Sequence, residues 1–313
     1  MLAPICLFTY NRLMETRYTV ESLQQNYLTA QSELFVFSDG FKDEQSAYKV
    51  KEVREFLHKI HGFKSVVIVE SKNHKGLANS IIDGVTQIFE KYGKIIVLED
   101  DLITAPNFLN FTNQALDFYE QEQNVQSISA YSLSLNDKNA VYFQIRPGSW
   151  GWATWKNRWN PGIFDKKIIG NEIKSDAKVL KQFSRSCGAD MPKMLLDSIN
   201  NKNDSWYICW TFDHFRRNKY SVYPGHSYIQ NIGFSVSGTH CKGINAFTSV
   251  HVNDQQIQTE FTEFHLPDFK LSREFLHYFS RWHKIWIRFK LLRTFSGRSL
   301  LMNEIKSRTG LMR

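Results

Sequence analysis

The stretch "KIIVLEDDLITAPNF", residues 94–108, decides the fold of this chain. Four apolar residues, 95–98, run directly into three carboxylates, Glu99, Asp100 and Asp101. A short continuous apolar run bounded by polar residues indicates a strand that is buried on both faces. Three adjacent carboxylates at the end of such a strand require a cation nearby, because isolated buried charge is very unfavourable.

Strand-like and helix-like segments alternate on the N-terminal side of this stretch. The runs "PICLFT", "ELFVFS", "SVVIVE" and "KIIVLE" predict four strands, and the segments between them have helical spacing. Such alternation predicts an α/β fold, with a Rossmann-like, mostly parallel sheet, right-handed crossovers and helices on both faces. In such sheets, ligands bind at the carboxyl ends of the strands.

Polar and glycine residues follow each of these four runs. They are "TYNR" (9–12), "SDG" (38–40), "ESKNHKG" (70–76) and the "EDD" triplet (99–101). Because the carboxyl ends of parallel strands meet at one edge of the sheet, this edge is the predicted functional site.

The carboxylates themselves allow two interpretations. Mg²⁺ and Mn²⁺ bind carboxylate oxygens together with substrate phosphate oxygens, so the triplet is a candidate metal site. Alternatively, it is a solvated turn before a helix, where acidic residues and a proline such as Pro106 are favoured. The position after an apolar strand, with other polar strand ends nearby, favours the metal site.

The sequence shows no internal repeat and no low-complexity linker, so we expect one continuous catalytic domain with a C-terminal extension. The 313 residues are 42% hydrophobic, which is ordinary for a globular protein. The four cysteines lack CxxC spacing, which argues against a zinc ribbon or a dense disulfide frame and fits a reducing compartment. No stretch of about 18 apolar residues is present, and the N-terminal apolar run is too short for a signal peptide. We therefore expect a cytoplasmic protein.

The positive charge is concentrated in the tail. Residues 273–313 carry ten Lys/Arg against two Asp/Glu, a difference of +8, and the whole chain also has a net charge of +8. The main body is therefore near neutral, so we expect no nucleic-acid partner.

In the tail, Trp282, Ile285, Trp286 and Phe289 follow i, i+3, i+4, i+7 spacing. A basic amphipathic helix of this kind suits an anionic membrane surface on the inner face of the plasma membrane. Alternatively, the same apolar face packs on the domain or on a partner subunit.

Several segments resemble one enzyme family. "VLEDDLITAPNFLNF" resembles the acidic metal motif and following helix of N-acetylglucosaminyltransferase I-type enzymes, which are GT-A-fold glycosyltransferases with bacterial relatives. "TYNR", "FVFSDG", "NHKGLANSI", "PGSWGWATWKNRW", and "NDSWYICW" with "YPGHSYIQNIGFSVSGTHC" resemble further family segments in the same order. The resemblance covers about residues 1–245.

The resemblance implies a metal-dependent, inverting hexosyl- or N-acetylhexosaminyltransferase of polysaccharide or lipopolysaccharide biosynthesis. It would use Mn²⁺ or Mg²⁺ and a nucleotide-sugar donor, UDP-linked by inference, with a glycan or lipid-linked saccharide as acceptor. The implied domain layout is a GT-A domain over 1–265, divided into a nucleotide-sugar-binding half (1–130) and an acceptor-side half (131–265), followed by a basic extension over 266–313.

The resemblance also implies roles for individual residues. Asp101 would bind the metal with His240, and Asp204 would be the general base. The donor would be contacted by Thr9, Arg12, Asp39, His74, Lys75, Glu99 and Asp100, and the acceptor by Trp150, Trp152 and Trp155. Each residue also has an ordinary structural alternative: a helix cap for Asp204, a loop or surface role for the donor-side residues and His240, and the core for the tryptophans. Asp213 is a second candidate base.

Two other functions compete with this interpretation. A nucleotidyltransferase acting on sugar phosphates shares the sheet and the acidic metal site, but usually has a glycine-rich phosphate loop after its first strand. The corresponding segment here, "FTYNRLMET", contains no glycine. A non-catalytic membrane-surface or nucleic-acid binder could use the basic tail, but the acidic triplet and the near-neutral main body argue against it.

Overall fold

The computed structural model describes residues 1–133, 135, 140–176, 178–233, 258–294, 297–299 and 301–302. The strands are β1 (Ile5–Thr9), β2 (Glu33–Ser38), β3 (Ser65–Glu70), β4 (Lys94–Glu99), β5 (Leu102–Thr104), β6 (Val125–Ser129), β7 (Val141–Gln144), β8 (Trp152–Trp155), β9 (Tyr220–Pro224) and β10 (Ile229–Asn231). The α-helices are α1 (Leu13–Gln24), α2 (Glu44–Leu57), α3 (Leu77–Phe89), α4 (Phe108–Phe118), α5 (Lys166–Ser175), α6 (Val179–Cys187), α7 (Met191–Ile199), α8 (Trp206–Arg216), α9 (Phe269–His277) and α10 (Arg281–Leu292).

The main sheet has the strand order β3-β2-β1-β4-β8-β6-β9-β7. The first four strands pair in parallel, as do β6 and β9. Strand β8 lies antiparallel between β4 and β6, and β7 is antiparallel at the far edge. Six of these eight strands therefore run in the same direction, which confirms the predicted α/β class with a mostly parallel sheet.

The strands bury both of their faces. In β1, Ile5 and Leu7 belong to one core, and Cys6 and Phe8 belong to the other. Helices α1, α2 and α4 cover the first face, and α3 and α8 cover the second. Each fully buried side chain of this kind contributes about 1.5–3 kcal/mol relative to exposure, so both faces need helical cover. The predicted helices on both faces are confirmed.

The chain after residue 130 adds to the same sheet. The sequence predicts loops and short elements around "VYFQIRPGSWGWATW", and the structure forms β7 and β8 there. Helices α5, α6 and α7 follow, and they pack with α8 in a third core. The predicted division after residue 130 thus falls inside one continuous sheet.

The first helix of the predicted C-terminal extension, α9, packs on the rest of the protein. Phe275 of α9 is 1% exposed and packs against Tyr142 of β7 and Tyr223 of β9, with ring centroids 6.3 and 5.3 Å away. Helix α9 therefore packs on the domain, and the boundary at residue 266 stays a prediction. Helices α9 and α10 share one basic, aromatic composition, but only α9 buries an aromatic side chain in the core.

Two further expectations concern cysteines and membrane spans. Cys6, Cys187 and Cys209 are buried free thiols, and Cys241 lies outside the described residues. In the part of the chain that the structure describes, no helix combines the length and the apolar character needed to cross a bilayer.

Candidate active site

The predicted site lies at the carboxyl edge of the sheet. Strands β1, β2 and β3 end at one level, since Thr9 pairs with Ser38 and Ser38 pairs with Glu70. Strand β4 ends one residue earlier, because its last residue, Glu99, pairs with Phe8 and not with Thr9. The four polar segments that follow these strands are therefore brought together, as the sequence predicts.

Arg12 forms an ion-pair bridge to the acidic triplet. Its guanidinium donates to Asp100 Oδ1, and its Nη1 lies 3.0 Å from Asp101 Oδ2. The backbone N–H of Tyr10 donates to Asp100 Oδ2 at 3.4 Å. Asp100 and Asp101 are buried, and Glu99 is half-buried. If all three carboxylates were ionised, they would leave a formal charge of −2 against one guanidinium in a place with little water.

This surplus negative charge changes the acidity of the carboxyl groups. Burial, together with repulsion from Asp101 and Asp100, raises the pKa of Glu99 to about 8. Burial raises the pKa of Asp100 to about 6, although the Arg12 guanidinium opposes the change. A raised pKa means that the ionised form of a carboxyl group is unfavourable, and another cation nearby would stabilise that ionised form. A divalent ion would balance the formal charge of −2.

Asp101 is the residue best suited to hold such an ion. Its Oδ1 atom is buried and accepts no hydrogen bond from the described residues. Within that part of the chain, no group of three His, Cys, Asp or Glu side chains could hold a metal alone. The residues therefore fit an ion that takes one or two carboxylate oxygens here and its other ligands from substrate phosphate oxygens and water, as Mg²⁺ and Mn²⁺ sites usually do. His240, the other predicted ligand, lies outside the described residues.

The ribbon formed by β5 and β10 brings a glycine against Asp101. Strand β10 pairs antiparallel with β5, and the N–H of Ile232 donates to the Asp101 carbonyl at 2.9 Å. A Cβ atom on Gly233 would stand only 1.9 Å from Asp101 Oδ2. Gly233 is therefore needed for the carboxylate to keep its position.

Gly233→Ala is expected to displace the Asp101 carboxylate and to lower the affinity for Mn²⁺ at least about tenfold, in the range seen when a metal ligand loses its orientation. Isothermal titration with Mn²⁺ in the presence of UDP measures this. Gly93→Ala is the matched control, because a Cβ there would meet nothing within 4 Å. Equal Mn²⁺ affinity in Gly233→Ala and in the control would show that Gly233 does not position the carboxylate.

Asp39 is committed to a loop of the protein. Its Oδ1 accepts from the N–H groups of Gly40 and Lys75, both at 2.8 Å. Its Oδ2 accepts from the N–H of Gly76 at 3.0 Å and lies 2.8 Å from His74 Nδ1. Two of these partners, Lys75 and Gly76, belong to the loop between β3 and α3. Asp39 therefore holds the loop that leads into α3, and its contact with the donor stays a prediction.

The other predicted donor-side residues line the same edge. The His74 ring lies 4.9 Å from the Tyr10 ring. Lys75 Nζ pairs with Asp83 Oδ2 at 2.7 Å, and both side chains are largely exposed. Exposed pairs contribute only about 0–1 kcal/mol, so Lys75 can exchange this partner for a phosphate at little cost. Thr9 Oγ1 is buried without a hydrogen-bond partner among the described residues.

Asp204 lies at the same edge and Asp213 does not. Asp204 is exposed just before α8, and its Oδ2 is 3.1 Å from the position that a Cβ on Gly76 would take. The structure records no capping hydrogen bond from the described side chains at this helix start. Asp213, by contrast, accepts from Gln126 Nε2 at 2.5 Å. Because Gln126 is at the beginning of β6, Asp213 lies towards the amino edge, away from the acidic triplet.

Two of the three predicted acceptor tryptophans are core residues. Trp152 is 1% exposed and stacks on Trp206 at 5.1 Å. Trp155 is 3% exposed, and its Nε1 donates to the Leu116 carbonyl at 3.1 Å. An acceptor-stacking role for these two is therefore wrong. Trp150 is half-buried, and the pairing of Trp152 with Val97 brings it to the level of Glu99.

The sequence did not single out Tyr10, Gly233 or Arg146. Arg146 is buried, pairs with Asp190 at 2.9 and 3.2 Å, and donates to the Tyr207 hydroxyl at 3.1 Å. Since Tyr207 is in the first turn of α8, Arg146 fixes the start of the helix that follows Asp204. The only signal in the sequence was the position of Tyr10 and Gly233 within polar or glycine-containing strand ends, and nothing pointed to Arg146.

Comparisons with known proteins find likeness only among solved structures. No protein-family model and no curated protein sequence matches this chain. Residues covering 50% of this chain align with 45% of a mannosyltransferase from Pyrobaculum calidifontis in complex with GDP-Man and Mn²⁺, at 10% identity and a TM-score of 0.34. For S. aureus TarS (1–349), 74% of this chain aligns with 61% of that chain, at 10% identity and a TM-score of 0.41. For a UDP-glucose pyrophosphorylase complexed with UDP-glucose, 71% of this chain aligns with 90% of that chain, at 14% identity and a TM-score of 0.34. The chain thus spans about half the length of the first two proteins, and a likeness at this level does not establish a shared activity.

Proposed function

We propose that this protein is a GT-A-type glycosyltransferase that moves a sugar from a nucleotide-sugar donor to a saccharide acceptor, with Mn²⁺ or Mg²⁺ held by Asp101. One observation carries the proposal. The carboxyl edge of the sheet holds a buried acidic triplet that Arg12 only partly neutralises, and one Asp101 oxygen there accepts no hydrogen bond from the described residues. A divalent ion together with a diphosphate would satisfy both the charge and the oxygen.

On the donor side, the positive groups are arranged for a diphosphate. Arg12 lies next to Asp100 and Asp101, and Lys75 is at the end of the loop that Asp39 holds, just before α3. We propose that these two side chains bind phosphate oxygens, while Glu99 and Asp100 bind hydroxyl groups of the ribose or the donor sugar. The family resemblance of "TYNR" and "VLEDDLITAPNFLNF" supports a UDP-linked donor.

The transfer requires charge stabilisation on one side and proton removal on the other. When bound, the metal ion would stabilise as a Lewis acid the negative charge that grows on the departing diphosphate. Asp204 would take the proton from the acceptor hydroxyl as general base. A single displacement of this kind inverts the configuration at the anomeric carbon. Trp150, at the level of Glu99, would contact a glycan or lipid-linked saccharide acceptor.

We propose further that the enzyme is a hexosyl- or N-acetylhexosaminyltransferase working in the cytoplasm at the inner face of the plasma membrane. The basic composition of the tail supports this location. A lipid-linked acceptor would be presented at that surface.

A screen of nucleotide sugars for metal-dependent hydrolysis tests the proposed activity. One or more UDP-sugars should be hydrolysed slowly in the presence of Mn²⁺ and not in the presence of EDTA. Sugar 1-phosphates with nucleoside triphosphates serve as the comparison substrates. Release of pyrophosphate from that mixture, without hydrolysis of any nucleotide sugar, would instead identify a nucleotidyltransferase.

A further inference from the structure

Helix α10 presents an apolar face to solvent. Trp282 is 76% exposed and Phe289 is 65% exposed, and Ile285, Trp286 and Leu292 on the same face are exposed as well. The opposite side contacts the protein, since His283 is buried and Ile287 and Leu291 are half-buried. The described part of the chain therefore does not cover this face, contrary to the alternative in which α10 packs by it on the domain.

The charged residues of α10 have one sign. Helix α10 contains Arg281, Lys284, Arg288 and Lys290 and no Asp or Glu. Lys290 Nζ lies 5.3 Å from the centre of the Trp286 ring, beside the apolar face. An exposed strip of tryptophan and phenylalanine with basic residues beside it is complementary to the boundary between anionic headgroups and acyl chains.

A cleft of about 720 Å³ adjoins the start of this helix. It lies between the C-terminal end of α6 and helix α9, and its basic side is formed by Lys270, Arg273 and His277. These residues are at i, i+3 and i+7 of α9, so they share one helix face. Glu274 is the acidic residue of the lining, and Ser184 and Ser280 add hydroxyl groups.

The cleft reaches the first turn of α10. Ser280 lines the cleft and also caps α10, because its Oγ accepts from the N–H of His283 at 3.1 Å. The His277 ring lies 5.2 Å from the His283 ring, and the His283 ring lies 6.0 Å from the Trp286 ring. A ligand in the cleft would therefore lie beside the first turn of α10.

We propose that α9 and α10 form a docking surface for an anionic phospholipid bilayer. Helix α10 lies in the bilayer interface with Trp282, Trp286 and Phe289 directed into it, and the cleft takes the phosphate of a lipid headgroup through Lys270 and Arg273. The surface makes no use of the residues at the carboxyl edge, so the inference stands or falls separately from the proposed sugar transfer.

Vesicle flotation of the full-length protein tests the apolar face. Wild type should bind vesicles that contain phosphatidylglycerol or phosphatidic acid, and bind pure phosphatidylcholine at least about tenfold less. Trp282→Glu with Trp286→Glu should lower binding to the anionic vesicles at least about tenfold. Tyr18→Glu with Tyr48→Glu is the matched control, because both tyrosines are exposed and lie on other helices, α1 and α2. Thermal unfolding confirms that each variant is folded.

A second set of variants tests the cleft. Wild type should prefer vesicles with phosphatidic acid over vesicles with phosphatidylglycerol. The triple cleft variant, with Lys270→Ala, Arg273→Ala and His277→Ala, should lose this preference and still bind vesicles measurably through α10. Lys49→Ala, Lys59→Ala and His61→Ala together are the charge-matched control on exposed residues of the opposite end of the sheet. Each protein is also titrated with inorganic phosphate alone, which distinguishes a cleft that binds a lipid headgroup from a cleft that binds free phosphate.

Three outcomes would overturn the proposal. The first is vesicle binding that is unchanged in Trp282→Glu with Trp286→Glu. The second is a wild-type dimer in light scattering that these substitutions dissociate, which would assign the face to a second copy of the chain. The third combines two results. Inorganic phosphate raises the melting temperature of wild type but not that of the cleft variant, and both proteins bind vesicles equally.

Discussion

Asp101→Asn is expected to lower the rate of sugar transfer by about 10²–10³-fold or more, the range seen when one stabilising interaction with developing charge is removed. The substitution keeps the size of the side chain and removes its charge. Asp101 has the buried oxygen without a described hydrogen-bond partner, whereas Asp100 is already bonded to Arg12 and to the Tyr10 N–H. The loss should therefore be a loss of metal affinity, measured as kcat/KM over a Mn²⁺ titration.

The fold should survive this change. One repelling charge is removed from a site whose formal charge is −2, so thermal unfolding should remain cooperative at a similar temperature. Asp117→Asn is the matched control, because Asp117 is exposed and pairs with Lys94 at the opposite edge of the sheet. Full activity of Asp101→Asn with Mn²⁺ would show that the metal assignment is wrong.

Asp204→Asn is expected to lower turnover by about 10²–10⁴-fold, the usual contribution of general acid–base catalysis. Donor affinity should change little, because the loss of a proton acceptor acts on the chemical step. Single-turnover rates and donor titration on the same variant separate the two quantities. A fall in donor affinity that parallels the fall in rate would make Asp204 a binding residue, which its position beside Gly76 would then explain.

Asp213→Asn is the companion experiment. This carboxylate is bonded to Gln126 and Arg217 near the amino edge of the sheet, and burial raises its pKa. Its replacement should leave turnover within about threefold of wild type, because changes distant from the chemistry act mainly on stability. A larger loss in Asp213→Asn than in Asp204→Asn would reverse the assignment of the base.

The sequence was most informative about the first hundred residues. Local periodicity determines whether a segment such as "KIIVLE" is a buried strand, and parallel strands with helical crossovers must end at one edge. The proximity of Arg12 to Asp100, which are 88 residues apart, follows from this topology. For this reason the composition of the site could be predicted although no contact within it could.

Contacts that depend on tertiary packing were not predictable. Trp152 and Trp155 occupy a four-residue strand placed between β4 and β6, and only the pairing of distant segments reveals that both are buried. The bonds of Asp39 to the loop at Lys75 and Gly76 join residues 36 and 37 positions apart. Helix α9 belongs to the core because Tyr142 and Tyr223 meet Phe275, and the sequence of α9 alone does not contain that information.

The most direct test of the central proposal is a calorimetric titration of the full-length protein with UDP, in the presence and absence of Mn²⁺. If the acidic triplet and a diphosphate share one ion, UDP and Mn²⁺ should each increase the affinity for the other by the same factor, at least about tenfold, since such coupling is reciprocal. Asp101→Asn should abolish the coupling. UDP binding that is equally tight with Mn²⁺ and with EDTA, or no UDP binding under either condition, would contradict the proposal.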